Sequence, residues 1–278
     1  MVVQQLHVLP DEGTCIDVLH TAGRHGLPEL ASDVMRVLKL IDAPWQEHHY
    51  AALIEAQCRA GQIKEAFLTL NAMRSEDIKP VSGTTSAIFD AISKDADILA
   101  STWSLIDVIV KEDKQPVDIA GLNVIIQAAV ALGELQRAVG TYKMFVDYDV
   151  KPTVETFNLL FSGCVTASHR ELGDRLLADM KEAKVKPDAR TYEHVILLCL
   201  TQPKYEDAFF YLEEMKAGRY RPTEKVYETL IRKCLSVADM RYRLALEEMM
   251  RCGYRVSNEL RRDIRELTAG LPRSGENY

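Results

Sequence analysis

VKPD, Val185–Asp188, stands 35 residues after VKPT, Val150–Thr153, and YRPT, Tyr220–Thr223, follows after another 35. IKPV, Ile78–Val81, is a fourth version of the same phrase. A phrase that returns at a fixed period marks a stack of like units more readily than two ordinary globular domains, although 278 residues would hold either. Blocks of 35 give 119–153, 154–188, 189–223 and 224–258; upstream, 12–46 and 47–81 take the same template, and 82–118 takes it with one or two extra residues. Seven units result. Residues 1–11 read as the end of a preceding repeat or a cap, 259–267 (ELRRDIREL) as a capping helix, and 268–278 as a disordered tail.

Within a unit, an apolar or aromatic residue at position 4 is followed by apolar residues at 7 and 8, as in Tyr50, Leu53 and Ile54 or Tyr227, Leu230 and Ile231. That spacing is one face of a helix. Position 15 holds Gly26, Gly61, Gly133, Ser168, Pro203 and Ala238, a turn between two short helices. Position 20 is small (Ala31, Ala66, Ala138, Gly173, Ala208) and position 27 large (Leu38, Met73, Phe145, Met180, Met215, Met250), a packing stripe on the second helix. Trp103 and Arg243 break the small slot and predict local re-registration in their units. A hairpin of this size cannot bury both faces alone, so the predicted fold is all-α, an α-solenoid superhelix of about seven helix-turn-helix repeats. In the repeated phrase, Pro stops the second helix and the closing Asp or Thr caps the next first helix.

Composition narrows the function. Hydrophobic residues make up 47% and charged residues 27%, enough for a continuous core. No apolar run reaches the ~18–20 residues that span a bilayer, so no membrane insertion is expected. Net charge is −7, carried by residues 1–118 (net −8), whereas 119–278 is net +1. A basic surface for nucleic acid must then be local. Six cysteines show no C-x-x-C and no Cys/His cluster at zinc spacing, and Cys164, Cys199 and Cys234 are 35 apart, as buried small hydrophobes of successive units are. No metal and no cofactor are expected. The seven histidines are scattered, and neither H-x-E followed by P-C-x-x-C nor any other catalytic constellation is present. The chain is read as not an enzyme.

The tetratricopeptide family has a 34-residue period, but VETFNLLFSGC with its closing VKPD, and YAALIEAQCRAGQIKEAFLTLNAMRSEDIKP (Tyr50–Pro80), resemble the pentatricopeptide repeat (PPR) family. The likeness covers about residues 10–258, and CIDVLHTAGRHGLPELASDVMRVL is also similar to the arrays of fungal organellar members and of protein-only RNase P. The resemblance implies binding of single-stranded RNA in the mitochondrial matrix. MVVQQLHVLPDEG does not resemble a transit peptide, and Pro10-Asp11 sits where a preceding unit would end, so the chain is expected to be cut from a longer one.

In that family one base is read per repeat by position 5 and position 35, with position 2 flanking the bases. The pairs here are Ile16/Gln46, Ala51/Val81, Ser86/Asp118, Asn123/Thr153, Asn158/Asp188, Glu193/Thr223 and Glu228/Asn258. The resemblance implies uracil for Asn158/Asp188, a pyrimidine for Asn123/Thr153 and guanine for Ser86/Asp118. Both Glu pairs would put carboxylates where RNA must lie. Capping alone also accounts for Thr153, Asp188, Thr223 and Asn258. Position 13 carries Arg24, Arg59 and Lys94, which the family uses against phosphate, and Arg190 and Lys225 at position 2 would flank bases. Two functions fit: a non-catalytic adaptor of mitochondrial RNA in processing, stability or translation, or a helical scaffold for ribosomal or assembly proteins.

Overall fold

The computed structural model describes residues 10–270. It divides into two compact units, the first ending at Leu160 and the second beginning at Phe161. Among the described residues there are fifteen α-helices, one π-helical turn and no strand.

The first unit contains α1 (Glu12–His25), α2 (Pro28–Leu40), α3 (Glu47–Arg59), α4 (Ile63–Ser75), α5 (Ser82–Ile92), α6 (Ala96–Asp107), a π turn (Val108–Glu112), α7 (Ile119–Ala131) and α8 (Leu135–Asp147). α9 (Val154–Thr166) carries the boundary between the units. The second unit adds α10 (Arg170–Glu182), α11 (Ala189–Leu200), α12 (Glu206–Ala217), α13 (Glu224–Ser236), α14 (Tyr242–Arg251) and α15 (Asn258–Gly270). In the first unit the leading helices stack in series, α1 on α3, α3 on α5 and α5 on α7; in the second, α11 packs on α13 and α13 on α15.

The helix ends explain the repeated phrase more fully than capping does. Asp42, Asp77, Asp149, Lys184 and Arg219 all have positive φ, and each sits at position 31 of its unit. The residue that follows then donates back across the turn: Ile78 N to Met73 O (3.1 Å), Val150 N to Phe145 O (2.8 Å), Val185 N to Met180 O (3.0 Å) and Tyr220 N to Met215 O (3.0 Å). These are Schellman closures, which favour an apolar residue at the donor position, and the phrase opens on Ile, Val or Tyr for that reason. The first helices close likewise. Gly26, Gly61, Gly133, Ser168 and Ala238 are left-handed at position 15, whereas Pro203, its φ fixed by the ring, leaves its unit with a different turn.

The packing stripe is buried at Ala31, Ala66, Ala138 and Ala208 and at Leu38, Met73, Phe145, Met180 and Met215. Gly173 is buried too, and a Cβ there would collide with Leu198. The last unit corrects the expectation. Met250 is 54% exposed, Met249 is buried, and Tyr254 N closes onto Met249 O at 3.2 Å. Tyr242, seven residues before Met249, occupies the slot expected for Arg243, which is exposed. One residue is missing between Ala238 and Tyr242, so Ser257 precedes the last helix where Asn258 was expected, and Ser257 Oγ accepts from Leu260 N at 3.3 Å. In unit 82–118, Thr102 and Ile109 are the buried pair seven apart, Trp103 turns outward and donates Nε1 to Thr141 Oγ1 at 3.2 Å, and the π turn takes in an extra residue. The last helix also runs to Gly270, past the expected Leu267, so Thr268, Ala269 and Gly270 are helical and not tail. Residues 1–9 of the expected cap and 271–278 of the expected tail lie outside the described residues.

Cys164, Cys199 and Cys234 are buried free thiols. Burial pushes Cys164 and Cys199 up to about 11, so both stay protonated at neutral pH.

Candidate nucleic-acid interface

Position 5 lies on the second turn of each leading helix and position 35 just before the next one. A residue absent from the sequence-based reading ties them together. Position 3 is a polar residue sealed in the stack: His49, Thr84, Thr156 and Thr191. His49 Nδ1 accepts from Gln46 N at 3.1 Å, Thr84 Oγ1 from Val81 N at 3.0 Å, Thr156 Oγ1 from Thr153 N and Thr191 Oγ1 from Asp188 N, both at 3.2 Å. The hydroxyl then passes its own proton on. Thr84 donates to Glu47, and Thr156 donates to Asn123 Oδ1 at 2.8 Å. The signal was a Thr three residues after position 35, a variant of the capping box.

Asn123 is buried with its carbonyl held by Thr156, so the amide nitrogen is the group left to meet a base, a donor suited to an acceptor on a pyrimidine edge. Thr153 beside it is exposed. Asp118, by contrast, is buried inside its own contacts. Its carboxylate takes Arg74 Nε at 2.6 Å and Ala120 N at 2.8 Å, and its N–H donates to Asn71 Oδ1 at 3.0 Å. Ser86 is exposed, with its hydroxyl donating to Gly83 O at 2.7 Å. Asn158 is buried in the first unit, while Asp188 belongs to the second and caps α11 through Thr191 N at 2.8 Å. Glu228 accepts from Ser257 Oγ at 2.8 Å, so the last pair is Glu228/Ser257, and Asn258 is already helix. Glu193 and Thr223 are half-buried, and Thr223 Oγ1 is sealed from solvent without a partner.

A recess of about 520 Å³ opens across α1, α3 and α5, with Ala51, Ala52, Val81 and Ala87 among its lining. Arg59, Lys94, Ser86, His20 and His48 line it too, together with the carboxylates Glu47, Glu55 and Asp90. It brings two of the three predicted phosphate cations to Ser86 and to the Ala51/Val81 pair and leaves out Arg24, whose Nε donates to His20 O at 3.4 Å. Arg59 is half-engaged with Glu55 at 3.0 Å but remains 56% exposed. The rings of His20 and His48 lie 6.3 Å apart, and those of His48 and His49 4.1 Å apart. Burial, with His48 and His20 adding to it, brings His49 down to about 4.

In the second unit Arg190 and Lys225 are exposed at the starts of α11 and α13. His194 lies in reach of both charges. Its burial, then Arg190 and Lys225, lower it to about 4 against an opposing pull from Asp188. Among the described residues no group of three or more His, Cys, Asp or Glu side chains is placed to hold a metal ion, and no helix is long and apolar enough to cross a membrane.

Comparison with known families matches residues 12–145 to a pentatricopeptide repeat-containing protein family and residues 175–235 to the pentatricopeptide repeat domain. The maize pentatricopeptide repeat protein PPR10 superposes with a TM-score of 0.50 at 19% identity, covering 94% of this chain. This chain spans 39% of that one. The PPR domain of Arabidopsis thaliana protein-only RNase P 1, solved in complex with tRNA, gives 0.56 at 17% identity over 66% of this chain and 97% of its own. No curated protein matches.

Proposed function

The chain belongs to the pentatricopeptide repeat family, and from that membership we propose that it binds single-stranded RNA as a non-catalytic adaptor in mitochondrial RNA processing, stability or translation. The observation that carries the reading is the recess of the first unit, where Arg59 and Lys94 face the same space as Ala51, Val81 and Ser86. Cations there neutralise phosphates in competition with Glu47, Glu55 and Asp90, while the small side chains of Ala51, Ala52 and Ala87 leave room for bases. Base preference rests on Asn123 with Thr153 and, each within its own unit, on Asn158 and on Asp188; Ser86 acts without Asp118, whose carboxylate is committed to Arg74.

The scaffold reading has its own support. Phe210 (60% exposed) and Leu244 (55%) sit on successive second helices of the second unit, and Glu193 and Glu228 put carboxylates at reading positions. Affinity for U-rich and random single-stranded RNA across a salt series separates the two. Arg59→Ala/Lys94→Ala should reduce the log–log salt slope by about 1.4, two contacts at about 0.7 each. Asn158→Ala should narrow the gap between U-rich and random RNA. Absence of binding at low salt would leave the scaffold reading alone.

A further inference from the structure

We propose that the first turns of α11 and α13 form a phosphate-binding site, made by Arg190, Lys225 and the Nε2–H of His194. The site deepens the RNA-binding reading, and it moves Arg190 and Lys225 from the faces of bases to the backbone of the ligand.

α11 and α13 pack against each other, and Arg190 and Lys225 are each the second residue of their helix, so the stack sets the two cations at the same end. Other cations of this unit are tied to carboxylates, Arg170 to Asp174 and Asp207, and Arg241 to Asp239 and Glu206. Arg190 and Lys225 have no such partner among the described residues. His194 follows Arg190 by four residues, one turn along α11, and Lys225 holds on α13 the helix position that Arg190 holds on α11.

The ring supplies the third donor. Nδ1 of His194 is sealed from solvent with nothing to bond to. A proton there would be a buried donor without an acceptor, so the neutral ring keeps its hydrogen on Nε2. At neutral pH the ring is uncharged, since burial and the two cations hold it at about 4. The carboxylate that acts on the ring is Asp188, and it is committed to Thr191 N at 2.8 Å and Thr191 Oγ1 at 3.0 Å. Glu193 and Glu224 flank the site in sequence, and Glu224 is exposed in the first turn of α13. Thr223, which precedes α13, gives its helix no side-chain cap, so the N–H groups of that first turn also lack a side-chain acceptor. Two cations, one neutral N–H and an uncapped helix start are all donors. A phosphate group, anionic and rich in acceptor oxygens, is the chemistry that satisfies them together.

The test is a ring-nitrogen NMR titration of the full chain at low salt, with the His194 signal assigned through His194→Gln. Two probes are used, millimolar inorganic phosphate and a U-rich single-stranded oligonucleotide, and oligonucleotide binding is followed in parallel by anisotropy. The His194 signal should move with at least one probe in the parent chain and stay still in Arg190→Gln/Lys225→Gln, whose exposed substitutions leave the melting curve unchanged. Movement with the oligonucleotide alone supports a site for the nucleic-acid backbone. Movement with phosphate in a chain that does not bind the oligonucleotide supports a free-phosphate site and removes the RNA reading. A signal still under both probes overturns the site, and oligonucleotide binding in that case leaves the RNA reading standing without it. Movement that persists in the double variant overturns it as well. Where the oligonucleotide moves the signal, the double variant should lower the salt slope by about 1.4, two contacts at about 0.7 each, and an unchanged slope overturns the assignment.

Discussion

A left-handed backbone at Ala238, φ 56°, costs an L-residue about 1–2 kcal/mol, and glycine removes that penalty while giving back part of it as unfolded-state entropy. Ala238→Gly should therefore stabilise the chain by about 0.5–1 kcal/mol in thermal or urea unfolding; a loss of stability would mean that its methyl group makes contacts of greater value. Asp118 runs the other way. Its carboxylate caps α7 and holds Arg74, so Asp118→Ala removes a cap and an ion pair to an exposed guanidinium, a loss of about 1–2 kcal/mol. RNA affinity of the folded variant should stay unchanged, because the carboxylate is not offered to a base. A third residue sets a pH response. His49 has its folded-state value near 4 against an ordinary 6.5, so between those values the unfolded chain takes up a proton that the folded chain refuses. Stability present above about 6.5 is lost as pH falls toward 4. The urea midpoint should drop over that window and drop less in His49→Gln, which keeps an acceptor for Gln46 N; parallel curves for the two chains would remove His49 as the cause.

At the scale of the element, a second helix also packs on the first helix of the following unit, as α10 does on α11. Gly173 makes the closest approach, and a Cβ there meets the tip of Leu198. Overpacking of about 1–3 kcal/mol outweighs the roughly 1 kcal/mol that Ala returns as helix propensity, so Gly173→Ala should destabilise by about 1 kcal/mol and Leu198→Val should recover most of that loss. An additive double variant would show that the two side chains never meet. Four hairpins were legible from the repeated phrase because Pro, the small slot and the large slot fall at the same positions in each. The last was not. Met249 and Met250 are both apolar, and only the closure of Tyr254 N on Met249 O decides which faces the core. The left-handed position escaped as well, since Asp42, Asp77, Lys184 and Arg219 carry none of the glycine signature of such a turn. The site was legible in its positions and not in its contacts: Asn123 and Asp118 look alike as polar residues at helix starts, yet one presents an amide and the other is locked to Arg74.

Within each unit, stability is distributed along the stack, because among the described residues the helices pack mainly on those of the neighbouring hairpins. Such a chain opens first where its nearest-neighbour contacts are thinnest. That place is the hairpin of α5 and α6. It lacks the left-handed first turn of its neighbours, its two helices make the sparsest pairing among the hairpins of the first unit, and its second helix ends in a π turn, whose wider hydrogen-bond ring marks an inserted residue. Ser86, Asp90 and Lys94 of the recess stand on that hairpin, so the weakest element also carries part of the candidate interface. Native-state hydrogen exchange should show amides of Ala96–Glu112 opening well before those of Ile119–Ala131, where α7 is buried along nearly its whole length. If RNA occupies the recess, a saturating oligonucleotide should slow exchange most in Ser82–Ile92, since ligand that binds only the closed hairpin adds its binding free energy to the cost of opening. Uniform exchange along the first unit would contradict the thin hairpin. Protection confined to α7 and α8 would place the ligand away from Lys94 and Arg59.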